Sequence, residues 1–282
     1  MAMNKTTIIA IAEKDIRATF SSKKVWMPMV ILAVVLCIIF PAVFSYIGLH
    51  TELLNQSSDD LKKPIEKVIQ NFPAEEMKNT LASLPTMGEK VVYYFLNFML
   101  TPFFLMAAIV NSMVTSSNSF AGEKERKTLE SLLFSPLSIK DLFLGKVLAS
   151  FIPTLLIVFS TFILNLIVIN LITYPFFNQI LFINATWLLL IFWVIPALVL
   201  FNILLNVLVS SKVKSFQEAQ QFGGMMVLPI VGILISQVTG LFFLSPFILF
   251  LIGAGFLLGN ALLLKVMTKL NDRNSLFESQ IH

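Results

Sequence analysis

Six of the eight residues from Glu123 to Glu130 are charged: Glu123, Lys124, Glu125, Arg126, Lys127 and Glu130. They stand in SFAGEKERKTLESLLFSPLSIKDLFLGK, Ser119 to Lys146, inside an otherwise apolar chain. With both signs interleaved, the chemistry on offer is ion pairing and charge-assisted hydrogen bonding to a partner surface. Catalytic chemistry has little to work with. The only histidines are His50 and His282, and the one cysteine, Cys37, lies in an apolar run, so a His-based metal site, a zinc cluster and an intrachain disulfide have no ligands. No HExxH, no GxxxxGK[ST] and no nucleophile–base pair stands out. The polar groups within the apolar runs are neutral, chief among them Asn111, Asn165, Asn202 and Asn206. Asn202 and Asn206 are four apart and share a helix face. Such amides hydrogen-bond between helices for about a kcal/mol each, or line a route for a solute. The sequence leaves both readings open.

These residues sit on membrane helices. Of 282 residues 57% are hydrophobic and 13% charged, with mean hydropathy +0.85, against about 25% charged in a soluble domain. Crossing the hydrocarbon core takes about 20 mainly apolar residues. Six segments suffice: Val25–Ile47, Val91–Val114, Val147–Asn170, Ala185–Val209, Phe222–Phe243 and Pro246–Met267. The fold class expected is all-α, a polytopic integral membrane protein forming one transmembrane domain over residues 1–282. None of these spans contains Asp, Glu, Arg or His, and the only Lys is Lys265 at a helix end. Ionisable groups in lipid mark proton relays, voltage sensors and ion pathways. Their absence argues against a proton-coupled transporter, a charged-ring channel and an intramembrane aspartyl or metalloprotease. The chain carries no visible energy source of its own.

Basic residues set the expected orientation. Lys5, Lys14, Arg17, Lys23 and Lys24 precede the first span, and Lys124, Arg126, Lys127, Lys140 and Lys146 follow the second. Lys212 and Lys214 follow the fourth, and Lys265, Lys269 and Arg273 close the sixth. The opposite side holds one long loop whose lysines are outnumbered by acids. Segments 1–24, 115–146 and 268–282 are therefore expected in the cytoplasm and 48–90 outside. Bases that flank spans in this way point to membrane lipid, not to nucleic acid. Before the first span, Ile8, Ala12, Ile16 and Phe20 recur every four residues, the pattern of an amphipathic helix in the cytoplasmic interface. The same pattern also fits a cytosolic helix packed on a partner. Outside, Pro64 and Pro73 can each open a short helix with an apolar stripe. Gly255 and Gly259 form a GxxxG in the last span, extended by Gly253, which allows close packing within the chain or with a second subunit.

The charged island resolves into local signals. Thr128 reads as an N-cap with Glu130 in the first turn, and Leu129, Leu132 and Leu133 form a helical stripe. Ser135 and Pro136 stop that helix, and Ser138 with Asp141 starts the next as a capping box. A short cytoplasmic helix with an apolar stripe and charged flanks is suited to docking in a partner's groove.

At these residues the chain resembles ABC-type export permeases of the second class (ABC-2), whose signature runs as mixed charges, Gly-Thr-Leu-Glu, two leucines, Ser-Pro, and Gly-Lys before the third span. Glu123, Glu125, Arg126, Thr128, Leu129, Glu130, Leu132, Leu133, Ser135, Pro136, Gly145 and Lys146 match it, while Lys127 replaces the usual glycine. Ser210, Glu218, Ala219 and Gln220 resemble a segment of the sodium-efflux and multidrug-like branch. The resemblance implies a non-catalytic subunit in a bacterial plasma membrane, paired with an identical or sister permease and two copies of a cytosolic ABC ATPase. It implies no cofactor on this chain, with ATP-Mg bound by the ATPase. The coupling element would be Glu123–Leu133 with Pro136, flanked by a secondary contact at Lys212, Lys214, Glu218 and Gln220. Uncharged spans favour a hydrophobic or amphipathic cargo such as a peptide, drug or lipid-like molecule. Sodium extrusion, a peptide-sensing or immunity subunit, and an unrelated membrane scaffold or enzyme with a site built from neutral polar groups are the alternatives.

Overall fold

The computed structural model describes residues 4–52, 54, 75–125, 138–213 and 215–270. Among them the regular elements are all helices. We number them α1 (Lys5–Ser21), α2 (Lys23–His50), α3 (Glu75–Ser83), α4 (Met87–Glu123), α5 (Ile139–Phe177), α6 (Ala185–Ser210), α7 (Phe216–Val238) and α8 (Pro246–Met267). Six of these, α2 and α4 to α8, are long and apolar enough to cross a membrane. The first external helix, expected after Pro64, lies outside the described residues. So does the stretch from Arg126 to Leu137.

Helix starts follow from short polar residues that accept the orphan N–H groups of a first turn. Asn4 caps α1 by accepting from the Thr6 N–H at 3.2 Å. The same device recurs three times with an acid at the third helical position: Thr86 accepts from Glu89 N–H, Ser138 from Asp141 N–H and Ser215 from Glu218 N–H. Of the capping box expected at Ser138 the N-cap half is formed, while Asp141 Oδ2 accepts instead from the Asn4 N–H at 3.5 Å. Helix α5 runs for 39 residues, roughly 58 Å at about 1.5 Å per residue. That is far longer than a bilayer core, and the helix ends at Asn178 in the left-handed region, φ 48°. Helix α7 ends at Val238, where Thr239 and Gly240 (φ 69°) turn the chain and Leu241–Phe243 continue outside the helix.

Prolines interrupt three spans in one recurring way. A π turn at Val35–Ile39 precedes Pro41, one at Phe95–Met99 precedes Pro102, and one at Leu190–Val194 precedes Pro196. A proline ring cannot donate to the carbonyl four residues back and collides with it. Widening the preceding turn relieves that collision without breaking the helix.

The spans are not equal. Helices α4 and α6 are the most enclosed, with 67% and 56% of their apolar windows buried, against 17% for α7 and for α8. The centre is an aromatic knot: Trp187 of α6 meets Phe104 of α4 at 5.4 Å, Phe162 of α5 at 5.8 Å and Phe182 at 4.9 Å. Helix α1 packs along the start of α5. Its packed face is Ile8, Ala12, Asp15 and Thr19, while Phe20 is exposed. Of the stripe Ile8–Ala12–Ile16–Phe20, the first two residues thus pack on α5 and the last faces away from it. A four-residue step advances about 40° beyond one turn, so by Phe20 the stripe has rotated roughly 120° off the packed face.

Candidate functional site

The charged island emerges from a junction of three helices at the end of α4, built around Lys146. Glycine precedes that lysine for a steric reason. A Cβ at Gly145 would stand 2.8 Å from Cβ of Ile11 and 3.1 Å from the Ile8 carbonyl oxygen, so only a bare α5 backbone admits α1 here. The Lys146 side chain is 1% exposed and points into the junction. Its ammonium donates to the Ser119 carbonyl at 2.8 Å, at the point where α4 breaks at Phe120, and to Asp15 Oδ2 of α1 at 3.4 Å. It also pairs with Glu123 Oε2 and lies 5.6 Å from the Phe120 ring centroid. Ser119 Oγ donates to Asp15 Oδ2 at 3.2 Å. On the open side, Lys14 bridges Asp15 at 3.2 Å and Glu123 at 3.6 Å.

Two lysines and two carboxylates make this cluster neutral, which is how charges persist away from water. Burial works to lower the Lys14 ammonium, but Asp15 and Glu123 together outweigh it and hold it above the ordinary lysine value. It stays charged at cellular pH. The cation on the Ser119 carbonyl also complements the negative end of the α4 dipole.

Of the residues singled out by sequence, Glu123 is built into this cluster. Glu125 reaches α7: its Oε2 accepts from the Phe216 N–H at 3.0 Å, an anion on a helix N-terminus. A small apolar contact of Ala121, Val213 and Ala219 holds the same two elements together. The first residues of the island and the secondary segment around Glu218 and Gln220 are therefore neighbours. The side chain of Lys212 and all of Lys214 lie outside the described residues. So do Arg126, Lys127, Thr128, Leu129, Glu130, Leu132, Leu133 and Pro136. Sequence reasoning missed Asp15. Its signal is spacing: it lies three residues after Ala12 and seven after Ile8, on the face that packs.

Asn111, Asn165, Asn202 and Asn206 are all buried between helices. Asn202 Nδ2 ties α6 to α4, donating to the Ile109 carbonyl at 3.0 Å and to Ser112 Oγ at 2.7 Å. Asn206 Nδ2 donates to the Asn202 carbonyl at 3.1 Å. Asn165 Nδ2 donates to the Cys37 carbonyl. Both amide atoms of Asn111 and the Oδ1 atoms of Asn165 and Asn206 are buried with no hydrogen-bond partner among the described residues. The described residues contain no group of His, Cys, Asp and Glu side chains able to hold a metal ion.

A helical, multi-pass membrane protein with a buried cluster of charges at one end is what the fold and this junction define. Across residues 9–271 the chain matches the family model described as ABC-2 family transporter protein. It belongs to the ABC-2 transporter family, and is a membrane transport component. No curated protein and no solved structure matches it.

Proposed function

We propose that the chain is the permease subunit of an ATP-driven exporter, powered by a separate cytosolic ABC ATPase that docks on the island Glu123–Leu133. The observation that carries this reading is the root of the island. Glu123 and Glu125 fasten its first residues to α1, α5 and α7, so a push on the segment beyond them is delivered to three helices at once. Family membership and the absence of ionisable residues from the apolar spans support a transporter driven from outside itself. ATP binding in the partner biases two packings of the bundle that differ by a few kcal/mol. Two permease copies, or one with a sister chain, complete the assembly. Both termini face the cytoplasm of a bacterial plasma membrane.

The cargo class we assign is hydrophobic or amphipathic. Among the described residues the buried polar groups deep in the bundle are neutral, and a strongly charged solute would find no counter-charge among them. The buried amides of Asn111, Asn202 and Asn206 are the groups we place beside its path.

The test is an affinity purification of the tagged chain from gently solubilised native membranes, with mass spectrometry and an ATP-hydrolysis assay. A stoichiometric ATP-binding subunit is expected, and its loss when Leu129 and Leu133 are both replaced by Ala. A wild-type chain that brings down no such subunit, under conditions preserving other membrane complexes, overturns the reading.

A further inference from the structure

The geometry points to Lys146 and Asp15 as positioning residues that fasten α1, the root of the island and the start of α5 into one rigid body. Movement imposed on the island then reaches the third span through them. The inference rests on the permease reading and adds to it the route by which force enters the membrane.

Three observations carry it. The first is directional. Lys146 sits on α5, yet each acceptor of its ammonium is on another element: the Ser119 carbonyl and Glu123 on α4, and Asp15 on α1. The second is burial. With the lysine 1% exposed and Asp15 at 8%, water does not compete for these bonds, so the link is stiff in a way that a surface ion pair is not. The third is steric. Gly145 lets the Ile8–Ile11 turn of α1 lie directly on the α5 backbone, leaving no side chain between the two helices to act as a bearing. A rigid link joined to a helix of 39 residues moves that helix as a lever. Gly145 and Lys146 thus act as one unit, the glycine bringing α1 close and the lysine pinning it.

The variant Asp15→Asn with Lys146→Gln removes one charge of each sign and leaves Glu123 with Lys14, so the junction stays neutral. Gly145→Leu is the second variant, prising α1 away with every charge intact. Lys146→Arg is the conservative control. In a Cys37→Ala background, spin labels at the exposed positions Ile9 and Leu156 report α1 against α5, and labels at Leu156 and Phe192 report α5 against α6. Measurements compare the nucleotide-free complex with the ATP-trapped one in lipid nanodiscs.

In the wild type and in Lys146→Arg, the 9–156 distance stays narrow and equal in both states while the 156–192 distance shifts. In the double variant and in Gly145→Leu, the 9–156 distribution at least doubles in width. Their 156–192 shift is lost although the ATPase subunit still co-purifies and hydrolyses ATP. The inference is overturned if the double variant keeps both wild-type behaviours, or if the wild-type 9–156 distance itself changes between states. It is equally overturned if α5 does not move against α6 in the wild type. A wild-type chain without any ATPase subunit instead sinks the permease reading, and the 9–156 widths of the permease alone still show whether the clamp exists.

Discussion

At position 253 a hydrogen atom instead of a methyl group decides how α8 meets α6. A Cβ there would fall 2.3 Å from two atoms of the Trp193 indole, which is itself stacked on Phe250 with the rings 5° from parallel. That indole also donates to the Phe250 carbonyl at 3.2 Å, so it has little freedom to yield. Gly255, two residues on, has open space where its Cβ would go. Gly253→Ala is therefore expected to destabilise the protein by about 1–3 kcal/mol, the usual cost of overpacking. Gly255→Ala should be neutral, or stabilising by up to about 1 kcal/mol through helix propensity. Thermal unfolding of the purified protein in detergent separates the two; equal midpoints would rule out the close packing of Gly253 on Trp193. The sequence displayed the glycines but not their partners. GxxxG spacing singles out Gly255 and Gly259, yet it is Gly259 against Phe201 and Gly253 against Trp193 that make the close approaches. Which face of an all-apolar helix is used depends on aromatic shapes two helices away, and no local pattern records that.

At the scale of one element, the π turns link a visible residue to an invisible consequence. Pro41 supplies no N–H to the Cys37 carbonyl four residues earlier. In the structure Asn165, on α5, donates to that carbonyl instead. A backbone defect in α2 is thus met by a side chain of another span, which pins the two helices in register. Asn165→Leu is expected to cost about 1–2 kcal/mol, because a buried carbonyl is left bare. In a Pro41→Ala background the restored N–H serves the carbonyl, and the cost should shrink by about 1 kcal/mol. A double-mutant cycle on denaturation in detergent measures that coupling directly. Additive effects would mean that Asn165 serves something other than the proline's orphan. The helix start at Ser138 was legible because capping is settled within four residues, whereas the helix capped by Ser215 begins six residues before the span expected from Phe222. The packed face of α1 was not, because Asp15 looks like a solvent residue until Lys146, 131 positions later, is brought beside it.

At the scale of the molecule, the two most enclosed spans, α4 and α6, carry polar groups on their buried faces, which reverses the habit of soluble proteins. Helices α2 and α6 are equally apolar, yet 22% of one window and 56% of the other is buried. What distinguishes them is polar content, since α6 carries Asn202 and Asn206, and α4, the most enclosed span, carries Asn111, Ser112, Thr115 and Ser116 on buried positions. Lipid is as good a solvent for leucine as the bundle interior is, so only polar groups and small residues gain by turning inward. Six spans were legible from composition, but the order of enclosure lay in scattered polar residues whose partners the sequence does not name. The same separation of charge by side sets the orientation proposed for the whole chain. The Lys146 cluster and the exposed Lys140 lie at the end of the bundle where α4 closes and α5 begins. The exposed Ala82 of α3 lies before α4, one span-length away along the chain. Basic residues are retained on the cytoplasmic side. Ala82→Cys should therefore react with a membrane-impermeant thiol reagent in intact cells, and Lys140→Cys only after permeabilisation. Native Cys37, fully buried, stays silent in both. Labelling of Lys140→Cys in intact cells would invert the molecule, moving the island and its clamp to the outer face, where no ATPase could reach them.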